Sequence, residues 1–127
     1  MNKKHTEHLW REEKYHVMFH SQKHYNAIRQ AMKDNLSYDE VAQLITDALN
    51  QKPTNGSMRN ACQHMWGYFK KCASAEEKMQ YERLLEEANF SGLLKFLKGL
   101  ARKYEVKYLI ESRILKDRIT ENRPFEK

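Results

Sequence analysis

Glycine and proline are scarce in this chain, four and two in 127 residues. Hairpins and tight strand connections lean on those residues, so their shortage argues against a many-stranded β fold. Cysteine is as sparse. Cys62 and Cys72 stand without a paired CxxC neighbour, which reads as two reduced thiols in a cytoplasmic protein. No run approaches the roughly 18 apolar residues of a membrane span. The opening MNKKHTEHLWREEK has no apolar core of the kind a secretory signal carries, so none is expected. Internal repeats, low-complexity tracts and linkers are missing. So are a nucleophile elbow, a phosphate loop and a carboxylate dyad.

What remains is a lean helical chain. Hydrophobic residues make up 40%, enough for one core, and the length suits one domain over residues 1–127. The net charge is +6 and the pI about 9.3, which favours acidic partners or simply keeps a basic protein in solution. The charge is unevenly spread: residues 75–88 carry −3 and residues 91–118 carry +5. A clustered basic face is a better nucleic-acid signal than a high pI.

Periodicity predicts a first helix over about Thr6–Lys33, uninterrupted by Pro or Gly, with His16, His20 and His24 four apart on one face. Ser37 opens a second with Glu40 as capping-box partner and the stripe Val41, Leu44, Ile45, Ala48, Leu49. It stops before Lys52-Pro53-Thr54-Asn55-Gly56. Ser57 is the expected cap of a third, Ser74 (with Glu77) of a fourth, and Asn89 or Ser91 of a fifth. A sixth runs from Val106 to about Ile119, or the fifth and sixth form one bent helix; residues 120–127 and the first few are expected to fray. The fold class is all-α, a compact packing of five or six helices.

The third helix divides into two faces. Ala61, Cys62, Met65, Trp66 and Phe69 form an apolar stripe, whereas Asn60, Gln63, His64, Gly67 and Lys71 fall opposite. A mid-helix Gly67 costs about 1 kcal/mol, which implies close approach by a neighbouring helix or a ligand.

These residues resemble a family. Lys14-Tyr15, His20-Ser21 and Tyr25, followed by Asn60, Gln63-His64, Gly67-Tyr68-Phe69, match the pattern of the YbgA-like domain of unknown function, also called domain of unknown function 1722. The likeness covers most of the chain, and Asn60 to Phe69 is its specific part. The chain departs at Phe90 to Leu100, which lacks the family's proline, and at Ser112–Leu115 and Asn122–Phe125, where the family has a Tyr-Leu-Pro ending. Members occur alone, fused behind a cysteine-rich domain resembling thiouracil desulfurases, or encoded beside a DNA photolyase. The resemblance therefore implies work on modified or damaged nucleobases.

Three functional readings follow. The first is a cytoplasmic accessory module that binds RNA, tRNA or modified nucleobases beside a sulfur-handling or repair enzyme. Lys70, Lys71, Lys95, Lys98, Arg102, Lys103 and Lys107 would contact phosphates, and Tyr68 would stack a base. The second is a small-molecule or catalytic pocket gathering Lys14, Tyr15, His20, Ser21, Tyr25, Asn60, Gln63, His64, Gly67 and Tyr68. The same residues also suit a hydrogen-bonded network that ties helices together. The third is a helix bundle for protein interaction. Metal binding by His16, His20 and His24 lacks the glutamate of an HExxH motif, so neither metal nor cofactor is expected. Catalysis by the domain alone is not expected, and oligomeric state stays open.

Overall fold

Five side-chain caps, one of them at an unforeseen break, set the helix boundaries. The computed structural model describes residues 3–116. Helix α1 spans Lys3–His20, α2 Gln22–Lys33, α3 Tyr38–Leu49, α4 Asn55–Trp66, α5 Ala75–Glu86, α6 Phe90–Lys103 and α7 Lys107–Ile110. A 3-10 turn, Arg113–Leu115, follows. The fold is all-α; among the described residues there is no strand, and no helix is long and apolar enough to cross a membrane. The expected tail at 120–127, and the last residues of the expected sixth helix, lie outside the described residues.

The capping boxes Ser37/Glu40 and Ser74/Glu77 form as their spacing implied, and Asn89 caps α6. Three expectations are corrected. The long opening helix begins at Lys3 and is broken at Ser21. There the backbone is extended (φ −163°), and the hydroxyl accepts the His24 N–H to start α2. A serine offers the chain this alternative without Pro or Gly. Next, Thr54 rather than Ser57 caps α4, and Ser57 is the reciprocal partner at the third helical position. Finally, the sixth helix is one turn, α7, ended by Glu111.

Helices α2, α5 and α6 each close on a residue in the left-handed region: Asn35, Ala88 and Glu105, at φ 57°, 54° and 55°. The six-residue backbone bonds of the Schellman motif accompany them: Leu36 N to Ala31 O, Asn89 N to Leu84 O, Val106 N to Ala101 O. Glycine is the usual occupant, because a Cβ strains this conformation. Ala88→Gly and Glu105→Gly are each expected to raise stability by about 0.5–1 kcal/mol, read as a higher urea midpoint. A lower midpoint in both would contradict the left-handed assignment.

The interior has two parts. The larger joins α1 (Tyr15, Met18), α4 (Ala61, Cys62, Met65, Trp66), Phe69, α6 (Leu93, Leu97, Leu100) and the C-terminal turns (Leu109, Ile114, Leu115). The smaller joins Val17 of α1, Ile28 of α2 and Val41, Ile45 and Ala48 of α3. Helix α1 lies between them, packing most extensively on α4 and then on α3. Tyr81 stacks flat on Trp66, ring centres 4.2 Å apart, and burial pushes its hydroxyl up to about 12. Glu77 ties α5 to α6. It accepts from Lys103 Nζ and Tyr104 Oη, both at 2.6 Å, and from Ser74 N at 2.9 Å. Those three donors, Lys103 first, hold its carboxyl down at about 2.

Candidate functional site

The break at Ser21 decides which polar residues meet. It leaves His20 at the end of α1 and turns Gln22 toward the start of α4, where Asn60 donates to the Gln22 side-chain oxygen. The segment before α4 passes close by, so His20 Nδ1 lies 2.7 Å from the Gln51 carbonyl. A carbonyl only accepts, so Nδ1 carries the proton and donates. Ser57 Oγ donates to the Phe19 carbonyl at 2.8 Å and pins α4 to α1.

Two clefts open on either side of His20, which lines both. The first, of about 570 Å³, is polar: His20, Ser21, Gln22, Lys52, Ser57 and Asn60 contribute. The second, of about 390 Å³, lies between α1 and α6 and is mostly apolar. Phe19, Met58, Phe90, Leu94 and Ile114 line it, with His16, His20, Ser91 and Lys95 as its polar groups. A mostly apolar recess of a few hundred Å³ with a few convergent polar groups is the usual form of a ligand site.

A third cluster joins α1, the turn after α4 and α7. The Tyr15 and Tyr68 hydroxyls are 3.0 Å apart. Tyr68 stacks on Tyr108 (6.1 Å, 27°), and Lys14 Nζ sits 5.4 Å and 5.3 Å from the Tyr15 and Tyr108 ring centres. Arg11 caps Tyr108 from 4.8 Å and pairs with Glu111 at 3.6 Å. Burial, then the bond to Tyr68, raises the Tyr15 hydroxyl well above its ordinary range.

The single pocket read from the sequence is thus divided. His20, Ser21 and Asn60 share the polar cleft, while Lys14, Tyr15 and Tyr68 belong to the tyrosine cluster. Tyr25 packs on Trp10, ring centres 5.5 Å apart. Gln63 and His64 are exposed on α4, and His64 lines neither cleft that His20 lines. Gly67 is not mid-helix: it ends α4. A Cβ there would meet the His64 carbonyl at 3.1 Å and no neighbouring helix, so the close approach is to its own preceding turn. His16 and His20 remain adjacent, ring centres 5.2 Å apart, but His24 turns away beyond the break and pairs with the Ser21 hydroxyl at 2.7 Å. Among the described residues no three His, Cys, Asp or Glu side chains are grouped to hold a metal.

Of the basic residues, Lys95, Lys98 and Arg102 follow one face of α6, leading away from the apolar cleft. The Lys103 ammonium is engaged by Glu77. Lys70 and Lys71 are exposed in the turn after α4, and Lys107 is exposed at the start of α7.

The sequence reading passed over Gln22, Lys52, Glu13 and Arg113. For Glu13 there was a signal, since it sits on the line of Leu9 and Val17, four residues from each, where a charge is out of place.

A family model described as a protein of unknown function, DUF1722, matches residues 14–117. The chain belongs to the DUF1722 family. The match takes in both clefts and, apart from Arg11, the tyrosine cluster of this DUF1722 domain. Comparison with curated proteins and with solved structures finds no match.

Proposed function

We propose that this DUF1722 domain binds unpaired nucleic acid, RNA above all. One base would enter the apolar cleft, and the strand's phosphates would follow Lys95, Lys98 and Arg102. The observation that carries this reading is the cleft itself, with its Phe19 and Phe90 walls and Lys95 at the head of a basic helix face. Aromatic walls accept any base face, and a row of cations follows a backbone without reading sequence. The net charge of +5 over residues 91–118 supports the same reading. In this reading the domain serves a separate sulfur-handling or repair enzyme, with tRNA or thiolated bases as substrates, as the family resemblance suggests.

The test is fluorescence anisotropy with an unpaired oligoribonucleotide, tRNA and duplex DNA over a salt series. Affinity is expected to fall as salt rises, with a log–log slope of about −2 for three contacts to a single strand. Reversing Lys95, Lys98 and Arg102 to glutamate is expected to weaken binding at least about tenfold at low salt and to flatten the slope. Negligible binding at low salt, or an unchanged affinity in the triple variant, would refute the reading.

A further inference from the structure

Base binding leaves unused the residue standing behind the cleft. Glu13 is only 7% exposed. Its Oε2 lies 3.4 Å from Arg113 Nε, and its Oε1 lies 3.7 Å from His16 Nδ1. Oε1 and Nδ1 are both closed off from solvent, without a hydrogen-bond partner among the described residues. A buried carboxylate oxygen and a ring nitrogen that face one another satisfy each other after a small rotation, with Nδ1–H donating. Glu13 thus stands against the Nδ1 edge of His16 at 3.7 Å, whereas His20 Nδ1 donates to the Gln51 carbonyl at 2.7 Å. With Nδ1 turned to Glu13 in one ring and to the Gln51 carbonyl in the other, Nε2 is the nitrogen left to each, and both rings line the cleft.

Two imidazoles side by side, 5.2 Å between centres, are the parts of a proton relay. Near neutral pH a neutral ring takes a proton while a protonated one gives a proton. The charged groups around them are Glu13 on α1, Arg113 in the 3-10 turn, Lys95 on α6 and Lys52 before α4. A matching substrate has a hydroxyl to deprotonate, an oxygen to protonate as it leaves, and an anion for the ammonium. A ribonucleotide linkage has all three.

Resting on the nucleic-acid reading, we propose that this cleft cleaves RNA by transesterification, with His16 and His20 as the acid–base pair and Lys95 on the phosphate. One Nε2 accepts the proton of the ribose 2′-hydroxyl as the 2′-oxygen bonds to phosphorus. The bond from phosphorus to the 5′-oxygen breaks, its electron pair passes to that oxygen, and the other imidazolium protonates it. The products are a 2′,3′-cyclic phosphate and a 5′-hydroxyl, and protons alone are exchanged with the protein. Lys95 opposes the charge that gathers on the non-bridging oxygens. Glu13, held by Arg113, is a positioning residue.

The experiment incubates the full chain with a labelled unpaired oligoribonucleotide and with its 2′-deoxy counterpart, in the presence of EDTA. Anisotropy reports binding, and gel and mass analysis report products. The expected result is cleavage of the RNA alone, ending in the cyclic phosphate, with a bell-shaped pH dependence. His16→Gln and His20→Gln are each expected to slow cleavage at least about 100-fold. Both should still bind the strand, since Lys98 and Arg102 are untouched. Glu13→Gln should move one limb of the pH profile, which a merely structural role would not do. RNA that is bound but stays intact, or cleavage that persists unchanged in both histidine variants, overturns the proposal and leaves the binding reading standing. RNA that is not bound at low salt overturns both.

Discussion

Replacing Phe69 by alanine lowers the stability of the protein by about 3–5 kcal/mol. Phe69 is fully buried although it stands beyond the end of α4, two residues past Gly67. Its ring lies 6.4 Å from Trp66 and 6.1 Å from Tyr104, so it closes the larger interior where α4 meets α6. Its carbonyl also accepts the Ala73 and Cys72 N–H groups, at 2.8 Å and 3.1 Å. The surrounding backbone is thus fixed, and a cavity left there has little freedom to collapse. Domains of this size hold about 5–15 kcal/mol in all, so the loss is a fifth or more. The midpoint of thermal unfolding should fall by about 10–20 °C. Met79→Ala is the comparison: that side chain is 63% exposed and its loss should stay within about 0.5 kcal/mol. A change below about 1 kcal/mol for Phe69→Ala would show that the ring is not packed as described.

The two cysteines should differ in reaction rate by at least about a thousandfold. Cys72 is exposed after α4, whereas Cys62 lies buried on the apolar face of that helix. Burial pushes the Cys62 thiol up to about 12, which leaves almost no thiolate near neutral pH. Access adds to this, because a reagent reaches Cys62 only when α4 opens. With opening free energies of about 5 kcal/mol or more, that state is populated less than one part in a thousand. Mass spectrometry after timed exposure to a maleimide should show one rapid addition, at Cys72, and a second only after unfolding in denaturant. Two additions at similar rates under native conditions would contradict the packing of α4.

Much of the fold was legible because its signals are local. Serine followed three residues later by glutamate marked the starts of α3 and α5, and the stripe from Ala61 to Phe69 marked a buried face. The endings were harder to read. Asn35, Ala88 and Glu105 take the left-handed conformation without glycine, so the usual marker of a helix end was absent at all three. The break at Ser21 was silent for another reason: the apolar spacing continues through it, since α1 and α2 both contribute to the smaller interior. The site suffered from the same two errors. An unbroken first helix packed on a longer third one gathered Lys14, His20, Asn60, His64 and Tyr68 into one pocket. The actual breaks at Ser21 and Gly67 leave His64 exposed and distribute the others between a cleft and a tyrosine cluster, with His64 in neither. The approach of Gln51 and Lys52 to His20, and of Arg113 to Glu13, joins segments far apart in the chain and left no periodic trace.

Helix α1 is keyed on three sides at once. Val17 faces one interior, its neighbour Met18 faces the other, and Glu13, His16 and His20 look toward the C-terminal turns and α6. Adding or removing a single residue within this helix rotates everything beyond it by about 100°. Such a change would carry Val17 out of its socket and the imidazoles away from the cleft in the same step. Between Glu13 and His20 the chain is therefore held in length as firmly as in side chain.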